Sequence, residues 1–287
     1  MPEVVVLGNA QDGGVPHAGC LCRNCRVARA DWNRRHLPAS IGILSGDDTA
    51  IVDTTDAFEE QLHRLWSLRP SSAGHESERY QPPGQVILTH AHTGHYAGLW
   101  QFDRSVLAAS GVWVTGPPTT IALLQANEPW RKMQAEGFIC LEPGAFDVPF
   151  EPVPDVFVTL LEVPHRSEWE TDTAALLITG PNRTLLYVPD IDRWDEWDRD
   201  IAEVTASVDV AVLDGCFWQA PARAGVPHPP ILETMDRLQH LVDSRKSEVI
   251  FTHLNHSNPV LDPDSPERAE VMRRGYRIAV AGDRIVL

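Results

Sequence analysis

Four apolar runs in this 287-residue chain stop on, or just short of, a histidine or an aspartate. "QVILTHAH" ends at His90 and His92, "VFVTLLEVPH" at His165, "RTLLYVPD" at Asp190 and "SEVIFTH" at His253. Runs so rich in Val, Ile and Leu read as buried strands. In α/β folds, strand ends aim side chains into a common crevice, which is where ligands collect. One such residue at one strand end is ordinarily a cap or a solvated group. Four strands ending alike are much harder to dismiss and mark each of these residues as a potential ligand.

Strand and helix patterns alternate along the rest of the chain. Strands are predicted at 3–8, 40–46, 49–53, 85–89, 112–116, 156–163, 174–180, 183–190, 208–214 and 247–253, with a closing hairpin of "RIAVAG" and "RIVL" about Gly282–Asp283. Helices fit 56–67, 95–102, 118–127, 194–205, 230–243 and 265–274, the last opened by Asp264, Ser265 and Pro266. A hydrophobic fraction of 43% can fill one large core, so residues 1–287 are expected to form a single domain. "AIVDTTD" and "LLYVPDI" both end a strand on an acid, Asp53 and Asp190, which hints at two halves of similar build. The polar stretch from Pro70 to Gly84 reads as a surface loop.

A net charge of −16 argues against binding a nucleic acid through bulk charge, which needs Lys and Arg. Arg23, Arg26, Arg29, Arg34 and Arg35 form the one candidate basic patch. "MPEVVVLGNA" lacks a basic leader, and no apolar run approaches a membrane span, so a cytoplasmic chain without membrane contact is expected.

In "LTHAHTGHYAGL", His90 and His92 point the same way from extended chain, and His95 approaches from the start of a helix. Imidazole nitrogen binds zinc at about 2.0–2.1 Å, and three histidines with water make an open site. A second cluster, "GCLCRNC", sets Cys20, Cys22 and Cys25 within six residues of one another. Thiolates at that spacing can wrap one structural Zn²⁺ in a knot at 17–26, with His17, His36 or His256 as fourth ligand. His256, three residues past His253, is the favoured one. His228 lies in the Pro-rich "GVPHPPI" and has the right pKa for a general acid, or is a plain turn residue. Trp194, Trp197, Phe217 and Trp218 line a pocket or fill a core.

His-x-His-x-x-His followed by a later His, Asp and His on strand ends resembles the metallo-β-lactamase superfamily along the whole chain. The resemblance implies a four-layer αββα sandwich. It implies His90, His92 and His165 on a first metal, Asp190 bridging, His95 and His253 on a second, and Asp53 orienting the histidine loop from behind. The family carries an aspartate where this chain has Gly94. The second site would then keep His95, Asp190 and His253 alone, so one well-occupied metal and a second that is weak, differently ligated or absent are expected. Gly94→Asp is expected to raise the metal count.

The cysteine cluster is similar to two branches of that superfamily. One is the phosphodiesterase of phosphonate breakdown, in which a histidine at the place of His228 is proposed to protonate the leaving group. The other, closer at "LDGCFW", "THLNHSNP" and "DSPERAE", is coenzyme PQQ synthesis protein B. The expectation is a metal-dependent hydrolase of a small phosphodiester or related ester. Asp190 and His228 would assist water activated at one or two Zn²⁺, Mn²⁺ or Fe²⁺ ions. The alternatives are an iron-dependent oxygenase of cofactor synthesis and a non-catalytic binding protein. A small-molecule substrate is expected, and a homodimer is one assembly such a chain allows.

Overall fold

The computed structural model describes residues 1–70, 79–220 and 226–287; residues 71–78 of the expected surface loop lie outside the described residues. The first half runs β1 (Glu3–Gly8), α1 (Arg23–Ala30), β2 (Ser40–Ser45), β3 (Asp48–Val52), α2 (Phe58–Ser67), β4 (Gln85–Ile87), α3 (Thr93–Tyr96), β5 (Val112–Gly116), α4 (Pro118–Ala126), α5 (Glu128–Ala135) and β6 (Ile139–Pro143). The second runs β7 (Phe150–Val153), β8 (Val156–Val163), β9 (Thr173–Thr179), β10 (Thr184–Val188), α6 (Ile201–Ala206), β11 (Val210–Asp214), α7 (Ile231–Asp243), β12 (Glu248–Thr252), α8 (Pro266–Arg273), β13 (Arg277–Ile278) and β14 (Arg284–Val286).

The strands form two seven-stranded sheets, ordered β14-β1-β2-β3-β4-β5-β6 and β13-β12-β11-β10-β9-β8-β7. Each sheet is part antiparallel and part parallel: β3 to β6 and β10 to β13 are parallel, and β1 to β3 and β7 to β10 antiparallel. The two halves hinted at by the paired acids are therefore real. Helices cover the outer faces, giving an αββα sandwich.

Period-two alternation divides the core. Val4 and Val6 of β1 face the second sheet and pack with Leu176, Leu185 and Tyr187, whereas Val5 and Leu7 face the helices. Strands covered on both sides read as unbroken apolar runs, which is why they were legible. On α2, Phe58, Leu62 and Leu65 recur at helical spacing and pack on Val5 and Ile51; on α7, Ile231, Met235 and Leu238 do the same over Leu186 and Leu213. Ser265 caps α8 by accepting from the Arg268 N–H, and Asp200 caps α6 by accepting from Ala202.

Three expectations need correction. The closing hairpin does not form: β13 pairs with β12 in one sheet and β14 with β1 in the other. The turn at Gly282–Asp283 instead bonds to Val6, and Arg284 holds Glu3, so the chain's end seals the free edge of β1. The helix expected over 194–205 is two pieces, a 3₁₀ turn at Trp194–Glu196 and α6. The helix expected over 95–102 is α3 followed by a 3₁₀ segment. No helix among the described residues is long and apolar enough to cross a membrane.

Candidate metal centre

The parallel strands deliver their C-terminal ends to one edge of the sandwich. β4 leads to His90 and His92, β10 to Asp190, β11 to Asp214 and β12 to His253, while His165 follows β8. The metal-binding atoms of His90, His92, His165 and Asp190 lie within 4.8 Å of one another. Ligands on a tetrahedron around zinc stand about 3.3 Å apart. Here His90 Nε2 lies 3.0 Å from His92 Nδ1, His165 Nε2 lies 3.2 Å from the same atom, and Asp190 Oδ2 lies 3.5 and 3.3 Å from His90 and His165.

Each inward nitrogen is set by what its ring does on the far side. His165 Nδ1 faces Asp192 Oδ1 at 2.7 Å, His95 Nδ1 faces Asp53 Oδ2 at 2.7 Å, and His90 Nδ1 faces Thr89 Oγ1 at 2.9 Å. A ring that donates outward presents a bare nitrogen inward, the usual arrangement behind a metal ligand. His92 is turned round: Glu168 holds its Nε2 at 3.0 Å, leaving Nδ1 for the centre. Asp53 also accepts from the Thr89 N–H and hydroxyl, both at 2.8 Å, so one buried carboxylate fixes both ends of the histidine loop.

Asp53 and His253 share an unusual backbone, with φ of 60° and 55°. Left-handed conformations at non-glycine residues cost roughly 1–3 kcal/mol and cluster where function demands a particular aim. Both follow a parallel strand, β3 in one sheet and β12 in the other.

A second group comprises Asp12, His95, Asp190 and His253. Asp12 Oδ1 lies 3.3 Å from His95 Nε2 and 3.4 Å from His253 Nε2, and His253 Nε2 lies 3.6 Å from Asp190 Oδ2. These distances are long for hydrogen bonds and close to ligand spacing round a shared ion. Asp190 Oδ2 belongs to both groups. Asp12 went unnoticed in the sequence, since a single acid in "NAQDGG" has no periodicity or neighbouring ligand to signal it. The second group is thus larger than the three residues expected of it.

The electrostatics fit a cation. Burial opposes charge on Asp190, yet His165, His253, His228 and His90 outweigh it and hold the carboxyl well below the usual range. Burial, reinforced by neighbouring imidazoles, keeps His90 and His92 neutral, the state that binds metal. Burial also opposes charge on His95, but Asp53 and Asp12 push it up to about 10. These carboxylates favour a positive charge there, which a bound cation would supply in place of the ring's second proton. Asp190 Oδ2 and His253 Nε2 are the atoms turned into the centre, while Asp190 Oδ1 faces His228 Nδ1 at 3.3 Å. The donor set of imidazoles and carboxylates suits zinc, manganese or iron.

His228 sits behind Asp190. Its Nδ1 is 2.7 Å from Asp214 Oδ2 and 3.3 Å from Asp190 Oδ1, and its side chain is 1% exposed. Trp194 and Trp197 belong to the outer core rather than to a pocket, with their indole N–H groups on Thr234 and the Glu162 carbonyl; Phe217 lies edge-on to His228. The open side of the centre is bounded by His92, Glu168 and Asp12, of which Glu168 is 69% exposed.

The cysteine cluster gathers Cys20, Cys22, Cys25 and His256 within 4.8 Å. His256 Nδ1 lies 3.3 and 3.6 Å from the sulfurs of Cys20 and Cys22, against about 3.6 Å for sulfur and nitrogen on one zinc. Burial pushes the Cys25 thiol up to about 11, a cost that a coordinated cation removes. The His17 ring stacks on His256 while its backbone N–H donates to the Cys25 sulfur at 3.2 Å, and His36 bonds to Asn9. The expected basic patch is largely paired: Arg23 and Arg34 with Asp262, Arg35 with Glu60, and Arg29 with backbone carbonyls.

An αββα sandwich with histidines and an aspartate common to two ligand groups at one sheet edge defines a class. The Beta-lactamase superfamily domain matches residues 52–254, and the chain belongs to that superfamily. Over 98% of both chains it is 30% identical to coenzyme PQQ synthesis protein B of Methylobacterium radiotolerans. The zinc-bound PqqB crystal structure from Methylobacterium extorquens superposes with a TM-score of 0.82 at 25% identity, covering 100% of both chains. A diphosphatase of the PhnP family shares the fold, with a TM-score of 0.69 at 18% identity, covering 100% of this chain and 98% of that one.

Proposed function

We propose that the chain is a metal-dependent enzyme of the PQQ synthesis protein B type, converting a small precursor in the making of a redox cofactor. The observation that carries this reading is likeness over essentially the full chain to proteins named for that synthesis. The donor set at His90, His92, His165 and Asp190, which suits non-haem iron as well as zinc, is consistent with it. An ion bound there supplies an electrophilic centre that binds and activates small oxygen-containing ligands.

The chain's own residues do the positioning. Asp192 and Asp53 lock the rings of His165 and His95. Asp214 and Asp190 together hold His228 protonated despite its burial, so His228 reads as a positively charged brace for Asp190 rather than an acid reaching the substrate. His92 and Glu168 lie on the more exposed side of the centre, the side a substrate would reach.

A hydrolase of a small phosphodiester or ester is the second reading, favoured by the three-histidine set with Asp190 Oδ2 shared between two groups. The discriminating experiment strips the protein of metal and reloads it with Fe(II) without oxygen, or with Zn(II) or Mn(II). Oxygen uptake with catechol probes in the iron form, abolished by His165→Ala, is the expected outcome. Turnover of bis(p-nitrophenyl) phosphate by the zinc or manganese form, with no iron-dependent oxygen uptake, moves the assignment to the hydrolase. Inactivity of every loaded form toward both probes leaves a binding protein.

A further inference from the structure

We propose that Asp12 is the carboxylate of a second metal site, supplied by the first loop in place of the acid that position 94 lacks, so that the centre takes two ions. The proposal rests on the metal-centre reading above and adds the ligand that reading was missing.

A Cβ built on Gly94 would lie 2.5 Å from the Asp12 Cβ, 2.7 Å from its Cγ and 2.9 Å from its Cα. Non-bonded carbons do not approach so closely, so Asp12 fills the space that a side chain at 94 would take. From there its Oδ1 reaches His95 at 3.3 Å and His253 at 3.4 Å, while Asp190 Oδ2 completes the group. The loop is held for this purpose. Gln11 N–H donates to the Leu254 carbonyl at 2.9 Å, and Asn255 Nδ2 donates to Gln11 Oε1 at 2.6 Å, tying the residue before Asp12 to those just after His253. Glycine at 94 and aspartate at 12 are therefore mutually dependent: the missing side chain at 94 leaves the space that Asp12 fills. On the same distances Gly94→Asp alone would displace Asp12 and is expected to weaken the second site, against the raised metal count expected from the sequence.

The test counts ions by elemental analysis, after zinc loading and gel filtration, in wild type, Asp12→Ala, Gly94→Asp and the double variant. Wild type is expected to keep about two ions at this centre besides the cysteine-held one. Asp12→Ala should lose one of the two, the double variant should regain it, and Gly94→Asp alone should hold its second ion at least tenfold more weakly than wild type. Retention of the cysteine-held zinc and an unchanged circular-dichroism melt show that each variant folds; the isosteric Asp12→Asn repeats the measurement if Asp12→Ala does not. An Asp12→Ala chain with the wild-type count, or a wild type with a single ion at the centre, overturns the assignment of Asp12. A wild type with no ion beyond the cysteine-held one overturns the metal-centre reading itself.

Discussion

Asp192 contributes no metal-facing atom, yet the aim of His165 depends on it. Its carboxylate also accepts from the Arg166 N–H and guanidinium, so the acid is itself held in place. Removing a partner of this kind typically weakens metal binding about 10–100-fold. Asp192→Ala should therefore lose affinity at the His165 group by that factor in a chelator competition, and an unchanged affinity would show that the ring is fixed by packing alone. His36 makes a different prediction. Burial, with Arg268 and Arg34 nearby, lowers it to about 4. Its folded value lies below the ordinary 6.5, so stability is full above 6.5 and falls as pH drops towards 4. His36→Asn should flatten that part of the stability profile, and an identical profile in the variant would sink the attribution. At this scale the sequence was legible wherever a residue followed an apolar strand, as with His165 and Asp190. Asp12 and Asp192 were not, because each acts through a loop position whose neighbour comes from a remote part of the chain.

The loop from Gly8 to Arg23 links two chemistries. Its first part pairs with residues 254–255 beside Asp12, and its last part meets His256 through the cysteines. Cys22→Ala should release the zinc of that cluster and, by loosening the loop, weaken the ion next to Asp12 more than the one next to His165. Metal retention during stepwise chelation tests this: equal loss from both positions would mean the loop is held without the knot. The helix that follows this loop, α1, went unread in the sequence because only Cys25 and Ala28 are buried on it, too few for an apolar stripe. β7 escaped because it is a short edge strand containing a proline, and α5 because Met133 is its one buried residue. The closing segments looked like a hairpin for a good reason: two β-branched runs flank a Gly-Asp turn. Which sheet each joins depends on the empty edges of β1 and β12, and an edge is a property of the assembled fold.

Across the whole molecule, both sheets contribute ligands to one edge, so a bound ion bridges the two halves. Binding to the folded state alone stabilises it, by about 2.7 kcal/mol at a free concentration one hundred times Kd. Chelation should therefore lower the melting temperature of the whole chain in one transition. A melt indifferent to chelator would mean that no ion joins the sheets. The strands were readable because doubly covered strands leave long apolar runs, and the family, from which the sandwich followed, because the ligand pattern recurs at strand ends. The choice between oxidation and hydrolysis was not, since the same imidazoles and carboxylate suit either ion and either chemistry.

The central claim is that the edge shared by the two sheets is a metal centre built by His90, His92, His165 and Asp190. Anomalous difference maps from crystals of protein purified without added metal, recorded at the zinc and iron edges, test it most directly. A peak is expected among those four residues, with others between Asp12, His95 and His253 and within the cysteine cluster. A map with no peak among His90, His92, His165 and Asp190, in a chain folded as described, would contradict it.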